Sequence, residues 1–159
     1  MGSLLIVFML LVENFSSSDI DLEFNITDAS IKQFTLTSDN TLYYNLKLNV
    51  KARNLKEKIL YSEMITAISS YKDNEFAVVV MAPFVIAPKN TIMLKQVVFE
   101  GNSLIKLKPQ QVVEYNNETQ LGFYNVNLRL EPYAHCLGLR VPMISNGKLE
   151  PTFNVTKCA

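Results

Sequence analysis

A chain of 159 residues that is 48% hydrophobic and 19% charged can bury a core of its own and is too apolar to be disordered. Fifteen Lys and Arg balance fifteen Asp and Glu, so the chain as a whole lacks the basic character that nucleic acid demands, and no polybasic run marks a lipid-binding patch. One histidine, His135, and two cysteines, Cys136 and Cys158, form no CxxC or Cys/His cluster, which argues against zinc.

The chain opens with nine consecutive apolar residues, Leu4 to Val12. As a helix they reach about 14 Å, against a hydrocarbon core of roughly 30 Å. The stretch fits the apolar region of a signal peptide, or a membrane anchor whose beginning is missing, with a buried core strand as the plain alternative. Glu13 to Asp19 reads as a polar linker in which Ser16 to Ser18 could host cleavage. The predicted division is therefore 1–19 for the apolar segment and linker, and 20–159 for one folded domain.

Ile20, Leu22, Phe24 and Ile26 alternate with polar residues and predict a first strand, broken by Asp28-Ala29-Ser30. Ile31–Leu36 predicts a second, and Ser38-Asp39-Asn40 a turn. The clearest signal follows in Thr41–Arg53. Its even positions, Leu42, Tyr44, Leu46, Leu48, Val50 and Ala52, are apolar, and the odd ones are mostly polar. Period two gives one oily face and one wet face, the mark of a central antiparallel strand. A polar loop covers 54–58. The segment 60–71 suits either a strand or a helix face, and the Lys72-Asp73-Asn74 turn after it favours a strand and hairpin. Phe76–Met81 is continuously apolar and reads as a strand buried on both faces. Pro83 and Pro88 make 84–86 an edge or a crossing loop. Thr91–Phe99 predicts another strand, closed by Glu100-Gly101-Asn102. Between 103 and 117 the pattern is weak: Val112, Val113 and Tyr115 suggest brief pairing, and Asn116-Asn117-Glu118 a turn. Tyr124, Val126, Leu128 and Leu130 face inward on a strand ended by Pro132. Leu137, Leu139 and Val141 form the next, Asn146-Gly147 a turn, and 152–158 the last strand. Eight or nine short strands with frequent turns describe a β-sandwich.

No catalytic constellation stands out. His135 is adjacent to Cys136, and neighbours on a strand point to opposite faces, so the pair is poorly placed as base and nucleophile. A surface or edge-strand position is the expectation. Carboxylates such as Asp28, Glu63 and Glu114 have no pairing spacing of the kind glycoside hydrolysis needs. Tyr44, Phe76, Phe99 and Tyr124 are the positions that would line a hydrophobic-ligand or lipid pocket between two sheets, if they do not simply fill the core.

Two features point to an extracytosolic compartment. Four N-x-S/T sequons place candidate glycosylation at Asn14, Asn25, Asn117 and Asn154, where roughly two would arise by chance. A Cys136–Cys158 disulfide would close a loop of about 22 residues and stabilise the fold by about 3 kcal/mol. It would also require an oxidising compartment; the alternative is two reduced core thiols.

Several motifs, taken in order, resemble the plant harpin-induced-like (NHL) proteins, which carry a late embryogenesis abundant (LEA) group-2 domain. They are Asp28–Thr37 (DASIKQFTLT), Leu42–Leu46 with Ala52-Arg53-Asn54, Ala82-Pro83-Phe84 followed by Lys89-Asn90-Thr91, Gly122–Val126, Cys136–Pro142 and Thr156-Lys157-Cys158. The resemblance implies an all-β, immunoglobulin/fibronectin-III-like sandwich after the short apolar segment. It implies a non-enzymatic plant protein of defence, hypersensitive response and stress. Such a protein sits at the plasma membrane with its domain facing the apoplast or lumen, or is secreted if the N-terminal segment is cleaved. It would act through unknown protein partners, attach to the membrane through the N-terminal segment, and use no cofactor, metal or nucleic acid. Two departures stand out. The family's anchor and basic tail are longer than what precedes Glu13. Its basic hairpin before the first cysteine is replaced by Glu131–His135 (EPYAH), which should leave a strand edge exposed.

Overall fold

The computed structural model describes residues 21–145, 148–149 and 152–159. The predicted apolar segment and linker at 1–19, Ile20, the Asn14 sequon and the Asn146-Gly147 turn lie outside the described residues.

The fold is an antiparallel β-sandwich, as the alternation of the sequence requires. One sheet is built on β2 (Thr41–Asn54). On one side β2 pairs along its length with β1 (Leu22–Leu36), which also takes β13 (Thr156–Lys157). On the other side it pairs end to end with β8 (Val97–Leu104) and β7 (Thr91–Met93). The second sheet runs β10 (Ala134–Pro142), β9 (Phe123–Glu131), β4 (Ile65–Tyr71), β5 (Asn74–Met81). A small ribbon of β3 (Leu60–Tyr61) and β6 (Val85–Ile86) closes one end. A second pairs β11 (Ile144–Ser145) with β12 (Lys148–Leu149).

The prediction for β2 holds residue by residue: Leu42, Tyr44, Leu46, Leu48, Val50 and Ala52 are all buried. Each such side chain removed from water contributes about 1.5–3 kcal/mol, less for the smaller ones. Phe34 of β1 joins the two sheets, with its ring centroid 5.0 Å from Tyr71, 5.7 Å from Phe76 and 4.5 Å from Tyr124.

Several local expectations need correction. Asp28-Ala29-Ser30 does not break the first strand. Instead β1 is continuous over 15 residues, with register shifts between Ile26 and Asp28 and between Ile31 and Gln33. Each extra residue flips which parity points inward, so the core takes Phe24 and Ile26, then Ala29 and Ile31, then Phe34. The same device acts in β10, where the shift between Cys136 and Leu139 includes Gly138 at φ 66° and turns Leu137 out to 66% exposure. β5 is not buried on both faces: it is a sheet edge, and Val78 and Val80 stand exposed. Glu100-Gly101-Asn102 continues β8 because Gly101, opposite Tyr44, leaves room for the tyrosine ring; a Cβ there would lie 3.0 Å from the Tyr44 hydroxyl.

The segment 103–117 differs most. Residues Pro109–Leu121 form a helix, α1. Pro109 starts it, the Gln111 side chain accepts from the Lys108 N–H at 2.9 Å, and Gly122 ends it in the left-handed conformation. Among the described residues no helix is long and apolar enough to cross a membrane.

Candidate functional site

Residue 21 enters the sandwich at the end where β2 finishes. The Leu55 N–H donates to the Asp21 carbonyl at 2.8 Å, and Lys56 pairs with Asp21 at 3.2 Å. This end is organised by one buried polar side chain, Asn54. Its Nδ2 donates to the carbonyls of Lys58 (2.7 Å), Ile86 (3.2 Å) and Ala87 (3.3 Å), and its Oδ1 accepts from the Lys56 N–H (2.9 Å). Because these bonds satisfy a carboxamide that would otherwise be costly to bury, the loops 55–64 and 82–90 are held in one shape. Ser62 and Phe84 exchange two further hydrogen bonds, and the Tyr133 hydroxyl accepts from the Glu63 N–H at 2.7 Å. The Tyr133 and Phe84 rings pack on Phe24, 5.8 and 6.5 Å away.

The shape so fixed leaves large apolar side chains outside. Ile59, Tyr61, Met64, Val85 and Met93 are exposed, Tyr61 at 73%. Alongside them a groove of about 630 Å³ opens between 79–84 and 92–98, with Met81, Phe84, Ile92 and Leu94 among its walls. The four positions suggested for a ligand pocket do not line it. Tyr44, Phe76, Phe99 and Tyr124 are buried core, with Tyr44 against Phe76 at 5.0 Å.

At the opposite end a buried carboxylate docks α1. Glu118 Oε1 accepts from the Tyr71 hydroxyl at 2.6 Å and lies 3.1 Å from Lys72 Nζ, while Oε2 accepts from the Asn125 N–H at 2.6 Å. Glu114 adds a second ion pair to Lys72 at 2.9 Å. The Tyr115 hydroxyl bridges the backbone of Phe34 and Leu36, and its ring stacks on Tyr124 at 5.7 Å. Burial and the neighbouring Glu118 carboxylate push the Tyr71 phenol far above its ordinary range. Burial chiefly raises Tyr124. For Lys72, burial works downward, but the Glu114 and Glu118 carboxylates outweigh it and raise the ammonium. This is a docking network whose polar atoms are already partnered by one another.

The remaining expected site residues fall as follows. Cys136 and Cys158 are joined in a disulfide, buried, with Cα atoms 4.4 Å apart. It ties β10 to the C-terminal segment, where His135 and Ala159 exchange two backbone hydrogen bonds and cover part of the β10 edge. The short 131–135 connection makes a tight hairpin from β9 to β10 at Pro132-Tyr133. His135 is exposed and faces away from Cys136. Asn117 on α1 and Asn154 are exposed, while Asn25 in β1 is half-buried with its amide on Glu23 at 3.3 Å. Asp28 caps the Ala29 N–H, Glu63 lies at the Asn54 end and Glu114 at the Glu118 end, so the carboxylates are not brought together. Among the described residues no three His, Cys, Asp or Glu side chains are grouped to hold a metal.

Sequence reasoning missed both Asn54 and Glu118. Asn54 stood only as the end of an alternating strand and in the Ala52-Arg53-Asn54 motif, neither of which shows that its side chain is buried and bonds two loops. Glu118 could have been found from Pro109 and Gly122, which bracket one helix length.

Among the proteins this chain matches is NDR1/HIN1-like protein 10 of Arabidopsis thaliana, 34% identical over 145 residues, which are 79% of this chain and 63% of the relative. NDR1/HIN1-like proteins 3 and 2 of the same plant match at 28% over 155 residues and 26% over 142. The resemblance of the chain to the NDR1/HIN1-like proteins is thereby shown over most of its length. It spans 59% to 66% of the length of these curated relatives. No protein-family profile matches the chain, and no solved structure matches it significantly. The NDR1/HIN1-like relationship therefore rests on the relatives themselves, and the sandwich on the pairing of the strands.

Proposed function

We propose that this NDR1/HIN1-like protein is a non-enzymatic, membrane-associated component of plant defence and stress responses. Its β-sandwich, a LEA group-2 domain, acts outside the cytosol at the plasma membrane through contacts with other proteins. The observation that carries the reading is the kinship with the NDR1/HIN1-like proteins. The buried Cys136–Cys158 disulfide supports an oxidising compartment. The exposure of the Asn117 and Asn154 sequons leaves them open to a glycosyltransferase. The surface offers interaction area, while its buried ionisable groups are engaged in the docking of α1.

The test is expression of the tagged full chain in leaf cells. The reading expects recovery in the membrane fraction, mobility that shifts on endoglycosidase treatment, and loss of that shift in the Asn117→Gln/Asn154→Gln double variant. A cytosolic, unglycosylated product with free thiols would overturn the compartment. Unchanged response to a defence elicitor on deletion of the gene would overturn the role.

A second reading, a module for a hydrophobic ligand or lipid, is favoured by the groove at 79–84 and 92–98 rather than by the inter-sheet positions. A fluorescent fatty acid would bind the native chain and lose affinity in Leu94→Asp.

A further inference from the structure

We infer that the end of the sandwich organised by Asn54 is a bilayer-contacting surface, which lies on the headgroup region of a phospholipid membrane. The inference rests on the membrane association proposed above and adds to it an orientation and a set of contact residues.

Three observations converge on this end. The first is where the undescribed chain joins. Asp21 sits on the rim itself, bonded to Leu55 and Lys56. Only residues 13–20 separate it from Leu4–Val12, and a fully extended chain of that length reaches about 30 Å. Whatever Leu4–Val12 enters is therefore joined to the domain within that reach of this rim.

The second is what the rim exposes. Ile59, Tyr61, Met64 and Val85 point to solvent from a stretch that is internally hydrogen-bonded through Asn54, and Met93 from β7 beside it, so they stand outside a finished structure and are not a failed core. Side chains of this kind, with a tyrosine among them, partition into the boundary between headgroups and acyl chains, to a depth of roughly 5–10 Å.

The third is charge. Loops 55–64 and 82–96 carry Lys56, Lys58, Lys89 and Lys95 against Glu57 and Glu63; Asp21 on the same rim neutralises Lys56, which leaves a small positive excess in a chain that is neutral overall. Lysine stems can lie along the apolar boundary while their ammonium groups reach lipid phosphates. The junction with the apolar segment at Asp21, together with these lysines, favours lipid over a second copy of the chain as the occupant.

The chain contains no tryptophan, so single-tryptophan variants report position without background. The full 159-residue chain is made as Tyr61→Trp and, separately, as Val113→Trp, an exposed position on α1 at the other end. Each is mixed with vesicles of phosphatidylcholine and phosphatidylserine, with and without brominated acyl chains. The expected result is a blue shift and a loss of about half the emission to brominated lipid for Tyr61→Trp, as burial to the acyl boundary implies, and no change for Val113→Trp. The triple variant Tyr61→Ser/Met64→Ser/Met93→Ser should still sediment with vesicles through its N-terminal segment. Its Ile59→Trp derivative should lose most of the quenching.

Failure has separable forms. Sedimentation with vesicles but no quenching of Tyr61→Trp overturns the surface and leaves membrane association standing. Failure to sediment overturns both. Equal quenching at 61 and 113 overturns the orientation. A blue shift of Tyr61→Trp without lipid, growing with protein concentration, assigns the rim to a second copy and overturns the inference.

Discussion

At one end of the sandwich a carboxylate is buried; at the other, a carboxamide. Glu118 joins α1 to β4 and β9, with Tyr71, Lys72 and the Asn125 N–H as partners. Asn54 joins the end of β2 to the loops beside β3 and β6. Both groups have their hydrogen bonds met inside the protein, as burial requires. They differ in what surrounds them. Above Glu118 the rings of Tyr71, Tyr115 and Tyr124 turn inward and seal the end. Around Asn54 the hydrogen bonding fixes the loops, but Ile59, Tyr61 and Met64 stay outside. Internal polar bonding decides the shape of a loop; which way its apolar side chains face is a separate property, and here the two ends have opposite values of it.

The comparison can be broken most sharply at Glu118. Glu118→Ala strands Lys72 and the Tyr71 hydroxyl without their shared acceptor and should cost about 4 kcal/mol in urea unfolding, as removal of one member of a buried ion pair does. Glu118→Gln, which keeps the hydrogen bonds, should cost distinctly less. Replacing both Cys136 and Cys158 by Ala removes the tie near the Asn54 end and should cost about 3 kcal/mol, with reduction by dithiothreitol giving a similar midpoint. Asn54→Ala should cost about 2 kcal/mol and raise amide exchange at Lys56 and in the β3–β6 ribbon while leaving α1 protected.

Alkaline pH acts on the Glu118 end. Tyr71 has its pKa raised by burial and by Glu118 above the ordinary 10.0. The folded state therefore keeps a proton that the unfolded state releases, so stability is intact below about pH 10 and falls above it by on the order of 1 kcal/mol per pH unit. Lys72 shifts in the same direction. Tyr71→Phe should flatten part of that fall in unfolding curves measured between pH 9 and 11 (approximate limits). The smallest effect belongs to the rim: Tyr61→Ser and Met64→Ser should each change stability by less than about 0.5 kcal/mol, because these side chains contact little in the folded chain. A large loss there would mean the rim is core after all.

How much of this was legible in the sequence depended on whether one rule held across a whole element. In β2 strict alternation runs from Leu42 to Ala52, and every inward position was readable. In β1 and β10 the alternation changes parity at register shifts, which sequence alone reads as a break or as the wrong face. That is why Asp28-Ala29-Ser30 looked like a boundary and Leu137 like a core residue. β5 misled for another reason: apolar continuity does not distinguish a covered strand from an edge, and Val78 and Val80 are exposed. Helix α1 escaped because the residue it buries most deeply is a glutamate, so no apolar stripe marks it; its signals were at its ends, Pro109 and Gly122. The disulfide was readable from compartment arguments. The rim was not, because it is made of side chains from separated loops that come together only in the folded chain, through Asn54 and the β3–β6 ribbon.

The long β1–β2 ladder has a mechanical consequence. A pull applied between residue 21 and α1 runs lengthwise along β1, whose pairing with β2 extends from Leu22 to Leu36. Tension in that direction loads the cross-strand bonds in parallel as shear and does not unzip them one by one. The domain is thus strongest along the line that joins residue 21 to the α1 end.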